Sequence, residues 1–524
     1  MRDADGRGRH DLFTCGRRGP ATGAAVNPAS SEEPPVSSTS HEDHLMLIGG
    51  ELVPSLSGEW MESVNPATED VLGRSPAADE RDVARAVGAA ADAAPAWART
   101  PGKERADLLR ELASRLREQR KPLAELEVAD VGITIGIAEF DIDTAADGLD
   151  YYAGLVYEAK GETVPATPDH LHITYREPYG VVGRILPFNH PLMFAASKLA
   201  APLAAGNTIV IKPSEQSPLS TLALGRLCQE IFPPGVVNTV TGLGGSAGTA
   251  LVRDPRVRRL AFIGSVPTGL AIQRAAAESG VVKNITLELG GKNPLMVFPD
   301  ADFDAAMAAA VRGMNFAWQG QSCGSTTRVF VHDDLYDAAL DRLAELVGSI
   351  RVGDPMDRSV GMGPINSRGQ LEKDLRYVDI AREEGARVLC GGGRPTGDGF
   401  ERGYWLEPTV LCDVTPQMTV FREEIFGPVM SVVRWRDRDD LLSMANSVEY
   451  GLTASIWTQD VTEAMAVARE VEAGYVWING VSSHFPGTSF GGVKNSGVGR
   501  EEGLEELLSY TEARTLHVPT RRAT

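Results

Sequence analysis

Two residues of the 524-residue chain combine a reactive type with a setting that exposes it, Cys323 and Glu288. Cys323 lies in Gly320-Gln-Ser-Cys-Gly324, where small neighbours leave its sulfur open to a reactant, and Arg328-Val-Phe-Val331 then reads as a buried strand. Alone, this cysteine would read as one small core thiol among five, since free cysteine usually packs as a hydrophobe. The upstream run Thr286-Leu-Glu-Leu-Gly-Gly-Lys-Asn-Pro294 changes that reading. Glu288 is a lone carboxylate at the end of an apolar strand, where loss of water raises its pKa toward that of a useful base. Nucleophile and base are therefore both candidates in this chain.

Other stretches carry polar groups at predicted strand ends. Phe262-Ile-Gly-Ser-Val-Pro-Thr-Gly269 sets Gly264 and Gly269 in a Gly-x-x-x-x-Gly spacing, straight after a strand and opening a helix. Such a turn can present N–H groups to a phosphate, with Ser265 as an added donor, but it is not the Gly-x-Gly-x-x-Gly fingerprint and discriminates little by itself. Ile209-Val-Ile-Lys-Pro-Ser-Glu215 ends a strand with Lys212 and Glu215, which as bare residues form an ordinary exposed pair. Leu186-Pro-Phe-Asn-His-Pro191 precedes a helix, so Asn189 has the type and place of an N-cap.

Together and in this order, these motifs resemble those of the NAD(P)-dependent aldehyde dehydrogenase superfamily, from about Leu47 to near the C-terminus. The resemblance implies attack by the Cys323 thiolate on an aldehyde and hydride transfer to NAD, followed by hydrolysis of a thioester by water that Glu288 activates. It gives Asn189 the role of oxyanion donor beside the Cys323 N–H, worth roughly 3 kcal/mol of barrier. Lys198 and Glu501 match a proton relay behind Glu288, though a buried ion pair would look the same. Lys212 and Glu215 match residues on the adenosine ribose, and a carboxylate there opposes a 2′-phosphate, favouring NAD over NADP. Pro187, Gly264, Ser265 and Gly269 fall along the same implied cofactor site, with Glu424 on the nicotinamide ribose and Phe426 against the ring. The implied substrate tunnel carries His190, Met193, Ser197, Ser322, Gly324 and His484, without an arginine, and this polar lining favours polar or functionalised aldehydes over simple alkyl ones. A CoA-acylating dehydrogenase is the competing enzyme, and Glu288 speaks against it. Intact Cys323, Glu288 and Asn189 argue against a catalytically dead relative. A cysteine hydrolase would need a histidine partner that Cys323 lacks.

Composition agrees with this class. Fifty-one Lys and Arg against 71 Asp and Glu give a net charge of −20, which argues against nucleic acid or an anionic membrane as partner. Five cysteines without paired or metal-ligand spacing suggest reduced thiols and no metal site. No apolar run approaches the ~20 residues that span a bilayer, and a cytoplasmic enzyme acting on a small aldehyde is expected.

The elements that must position these groups read as α/β. Strands alternate with helices through Val182–Phe262 and again through Asn293–Ile478, which predicts two α/β domains with parallel sheets. The expected organisation is a disordered tail over 1–45, an NAD-binding domain over 46–170 and 187–290, and a catalytic domain over 291–504. A small β oligomerisation ribbon over 171–186 and 505–524 completes it. Helices are expected near Glu80–Ala98, Gly102–Gln119 and Thr144–Tyr157. A long exposed ribbon aggregates unless paired, so a homodimer or homotetramer is expected.

Overall fold

The computed structural model describes residues 42–520, so the expected tail lies outside the described residues except at its end. There Glu42–Asp43 is not tail: it pairs in parallel with Gly73 and Arg74, and the Arg74 guanidinium sits 2.8 Å from Asp43.

Val181–Ile185, Thr208–Lys212 and Val257–Ile263 are apolar runs buried along almost their whole length. Such strands belong inside a parallel sheet covered by helices on both faces. They form the centre of an eight-stranded sheet whose order is Gly497–Val498, Asn284–Glu288, Val257–Ile263, Val181–Ile185, Thr208–Lys212, Val237–Thr239, Met46–Ile48 and Glu51–Val53. From Val181–Ile185 the chain proceeds first to one side and later to the other. The loops after Ile185 and Ile263 therefore diverge at the carboxyl ends of adjacent strands, the place where α/β sheets open a crevice.

A seven-stranded sheet is built from the second half, in the order Arg387–Cys390, Thr409–Cys412, Val429–Trp435, Arg328–His332, Pro294–Val297, Thr453–Trp457 and Tyr475–Ile478. It is parallel except where Arg387–Cys390 meets Thr409–Cys412. The nine-residue strands His170–Pro178 and Thr511–Pro519 pair antiparallel along their full length, with Thr163–Val164 added to the first. Among the described residues no helix is long and apolar enough to cross a membrane.

Boundaries differ from expectation at three places. Val181–Ile185, assigned to the ribbon, is a central strand of the large sheet, because Gly180 at φ +101° turns the chain off the ribbon edge after Pro178. Residues 505–509, also assigned to the ribbon, fall instead in the short helix Leu504–Ser509 that precedes it. Gly497–Val498, assigned to the second domain, adds antiparallel to Asn284–Glu288 in the first sheet and places Glu288 opposite Gly497. The helix expected at Thr144 starts earlier, at Ile135, and a helix over Arg120–Val131 was not anticipated; Gly132 at φ +90° separates the two. Phe303–Gly313 and Arg368–Glu383 are further helices, and Thr409–Cys412 a further strand, outside the expected set.

Helix Pro191–Ala204 starts on Pro191 and is buried nearly all round, so its place is set by packing rather than propensity. Its N-cap His190 makes no capping bond; the buried Glu127 carboxyl instead accepts from Leu192 N at 3.2 Å. Burial raises Glu127 to about 8, so this cap is protonated at neutral pH. Helix Ile135–Gly154 packs against it, with Leu149 fully buried in the shared core. Leu149→Ala should lower the unfolding free energy by about 2–5 kcal/mol, measured by urea denaturation, through the cavity it leaves.

Candidate active site

Cys323 sits on a loop that several side chains hold in shape. Asn315 and Gln319 adopt left-handed backbone, at φ +56° and +53°, with Gly320 following at +66°. These conformations are costly for non-glycine residues and persist only where surrounding contacts impose them. Asn315 Nδ2 donates to Ser325 Oγ at 3.1 Å, and Gln319 Nε2 donates to Gly132 O at 2.7 Å. Asn293 is the central clamp: its Nδ2 donates to the carbonyls of Cys323 at 2.7 Å and Ser325 at 2.9 Å, and its Oδ1 accepts from Thr453 N at 3.0 Å. In the sequence, Asn293 stands out only as part of the Thr286–Pro294 motif. Its role depends on three carbonyl and amide partners that are distant in sequence.

Asn189 is not a helix cap. It lies one residue before the N-cap and donates from Nδ2 to Gln321 O at 2.8 Å, two residues from the nucleophile. That single bond leaves a second amide hydrogen, and the side chain is buried beside the Cys323 loop. Glu288 ends its strand fully buried, and neither carboxylate oxygen has a hydrogen-bond partner among the described residues. Gly491 keeps the space open, since a Cβ there would stand 2.8 Å from Glu288 Oε1. Burial, then the Glu501 charge, pushes Glu288 well above the usual carboxylate range, against the pull of Lys198. The Cys323 thiol is half-buried and is raised by desolvation first and by the Glu288, Glu424 and Glu502 carboxylates after it. Glu288 and Cys323 therefore sense each other directly.

Lys198 and Glu501 form a buried ion pair, 3.0 Å from Nζ to Oε2, and Arg184 Nη1 takes the other oxygen at 2.6 Å. Burial disfavours the Glu501 charge, but the two cations outweigh it and hold the group down at about 2, while Lys198 is driven up. Both stay charged across the neutral range. The neighbouring Glu506 behaves oppositely: burial raises it, and it accepts from Tyr152 OH and from Glu502 N.

The implied cofactor residues divide. Lys212 is buried, donates from Nζ to Pro213 O at 2.8 Å, and stands 3.4 Å from the exposed Glu215 carboxylate. Glu424 Oε1 accepts from Gly291 N at 2.8 Å. Phe426, at φ +61°, meets the Phe188 ring edge-on at 5.7 Å, and its carbonyl accepts from Gln370. Pro187 is half-buried at the crevice between the loops. Ser265 caps helix Val266–Ala277 and shares a hydrogen bond with Thr268. Gly264 and Gly269 do not form a phosphate cradle. The Gly264 N–H donates to Glu288 O at 3.0 Å, and Gly269 is small because Leu289 packs against it, 2.8 Å from where a Cβ would lie.

Around the implied tunnel, His190 Nδ1 pairs with buried Asp141 at 2.8 Å and its ring lies 5.6 Å from Trp318. Ser197 Oγ donates back to Met193 O at 2.6 Å, so the hydroxyl is already used. Ser322 is half-buried beside the nucleophile and Gly324 is buried behind it. His484 is exposed on the Asn479–Thr488 loop. Asp141, Gln370 and Glu502 escaped the sequence reading because each acts through a partner remote in the chain. Among the described residues no group of three or more His, Cys, Asp or Glu is placed to hold a metal.

A raised thiol pKa makes alkylation rate a direct probe. Iodoacetamide labelling of Cys323, followed by peptide mass spectrometry, should still rise about tenfold per pH unit between pH 9 and 10, where an unperturbed cysteine levels off. A plateau near pH 7 would show an activated thiolate instead.

The aldehyde dehydrogenase family model matches residues 52–516. The aldehyde dehydrogenase tropH of Talaromyces stipitatus is 43% identical over 498 residues, covering 94% of this chain and 96% of that protein. The betaine aldehyde dehydrogenase of Brucella anthropi is 40% identical, covering 90% of this chain and 96% of that protein. An NAD+ complex structure of an aldehyde dehydrogenase from Bacillus cereus is similar at a TM-score of 0.89 with 41% identity, covering 92% of this chain and 97% of that one. With this fold and these relatives, the chain belongs to the aldehyde dehydrogenase family.

Proposed function

We propose that this enzyme oxidises an aldehyde to the carboxylic acid with NAD, through a thiohemiacetal and a thioester on Cys323. The observation that carries the reading is the clamped Cys323 loop beside Glu288, a buried carboxylate with no hydrogen-bond partner among the described residues. Cys323 Sγ bonds to the carbonyl carbon as its proton passes to solvent water, and the Asn189 amide with the Cys323 N–H stabilises the negative charge formed on oxygen. When bound, NAD supplies the acceptor for the hydride lost from that carbon. Glu288 takes a proton from the water that attacks the thioester; the carbon–sulfur bond breaks, the acid leaves and the thiol is restored. Lys198 and Glu501 support Glu288 as fixed charges rather than as proton carriers, because each is held strongly in its ionised form.

The residues present fit NAD. Glu215 is exposed at the end of Thr208–Lys212 with Lys212 beside it, so a carboxylate faces the place of an adenosine ribose and opposes a 2′-phosphate. Phe426 meets Phe188, next to Pro187, and Glu424 reaches Gly291 N, contacts that support the same reading. The reading extends to a cytoplasmic homodimer or homotetramer, supported by the acidic composition and by the exposed Leu171, Leu516 and Val518 on the long ribbon.

Stopped-flow NADH formation tests the chemistry. Cys323→Ala should abolish NADH formation while NAD still binds by calorimetry, and retained turnover would remove the nucleophile. Glu288→Gln should give a burst of about one NADH per site followed by turnover slowed on the order of 10²-fold or more. Full steady-state activity in that variant would remove the base.

Cofactor choice is tested separately. The wild type should prefer NAD over NADP in kcat/KM, and Glu215→Ser should shrink that ratio by about tenfold or more by removing a charge that opposes the 2′-phosphate.

A further inference from the structure

Glu502 is not used in the chemistry above, yet three groups converge on it. It has left-handed backbone at φ +66°, a strained state for a side-chain-bearing residue. Its carbonyl accepts from Gly487 N at 2.9 Å, its N–H donates to Glu506 Oε2 at 2.8 Å, and its Oε2 lies 2.9 Å from His484 Nδ1. Both Gly487 and His484 belong to the Asn479–Thr488 loop, so one residue anchors that loop through main chain and side chain together. The His484 ring in turn lies among aromatic rings: it stacks on Tyr475 at 5.7 Å and 15°, with Phe490 at 4.8 Å and Trp477 at 6.2 Å.

The charges near this carboxylate are unevenly matched. Arg184 and Lys198 are both engaged by Glu501, and among the described residues the Glu502 carboxylate pairs with the ring of His484. Its side chain is 28% exposed and that of His484 41%, so the pair opens toward solvent rather than lying sealed in the core. Burial opposes its charge, yet the His484 hydrogen bond and Lys198 hold it below the usual carboxylate range, so it is anionic at working pH. Its field reaches inward as well, since it is one of the carboxylates that raise the Cys323 thiol.

We propose that Glu502, with His484 and the Tyr475, Trp477 and Phe490 rings around it, forms a tunnel mouth that rejects aldehydes with a remote negative charge and accepts those that are neutral or cationic there. A carboxylate-bearing substrate would bring like charge beside Glu502, whereas an ammonium gains both the carboxylate and the ring faces. This rests on the aldehyde oxidation proposed above and adds a substrate class to it.

The test compares three aldehydes of similar length with NAD: 4-oxobutanoate, pentanal and 4-(trimethylammonio)butanal. In the wild type, kcat/KM for the anion should lie at least about tenfold below that for pentanal and rise with added salt, as a screened repulsion does. Glu502→Gln, which keeps the shape and removes the charge, should raise the anion-to-neutral ratio about tenfold and lower the cation-to-neutral ratio. Unchanged ratios in the variant overturn the inference. So does a wild type that takes the anion as well as pentanal, a result that does not depend on the variant folding. Turnover with unchanged ratios leaves aldehyde oxidation standing, whereas no NADH from any aldehyde overturns both.

Discussion

The buried triad of Arg184, Glu501 and Lys198 is the interaction on which the site depends. Its members come from the central strand Val181–Ile185, the helix Pro191–Ala204 and the segment before Leu504–Ser509, three parts that no local contact joins. Taking these charges out of water is expensive, and their attraction compensates only because both Glu501 oxygens are engaged. Removal of any one member would strand a buried charge, at a cost of about 3–5 kcal/mol. The triad thus locks the second half of the chain onto the first sheet. The same lock lays Gly497–Val498 beside Asn284–Glu288 and presents Glu288 at the seam.

The triad also sets the electrostatics of the base. Glu501 raises Glu288 and Lys198 lowers it, and both are fixed in charge, so burial decides the balance. A thiol raised by burial and by nearby carboxylates is a poor target for stray oxidants and alkylators, because the thiolate is the reactive form. Reactivity in this site is then a property of the assembled complex rather than of the free enzyme. Asn293 serves that arrangement by holding the carbonyls of Cys323 and Ser325 on either side of Gly324.

Much of this was legible in the sequence where chemistry and local pattern coincide. Cys323 between glycines and Glu288 at a strand end announce themselves by type and neighbours, and the βαβ rhythm from Val182 to Phe262 follows from apolar runs of strand length. Gly269 misled because a glycine at a strand-to-helix turn serves phosphate approach or tight packing equally well; Leu289, twenty residues away, decides for packing. The ribbon boundary misled because Val181–Ile185 continues the alternation of His170–Pro178, and only the φ +101° turn at Gly180 separates an exposed ribbon from a buried strand. Asp141, Asn293 and Glu502 carry no local signal. Each is defined by bonds to residues distant in the chain, and such pairings cannot be read from a single chain of letters.

The sheet order explains why the two halves must meet where they do. Val181–Ile185 is the point from which strands are added in opposite directions, so the loop bearing Pro187 and Asn189 parts from the loop bearing Gly264 and Ser265. A crevice between divergent loops has one open side, and the second half closes it by contributing Cys323, Glu424 and Phe426 from its own strand ends. Glu424 crosses the gap to Gly291 N, and the Phe426 ring crosses it to Phe188. Both contacts are made by residues that the cofactor reading needs in those places. The cleft therefore has no independent scaffold: the groups that bridge it are those proposed to bind within it, and movement of one half relative to the other would alter the site before it altered either core.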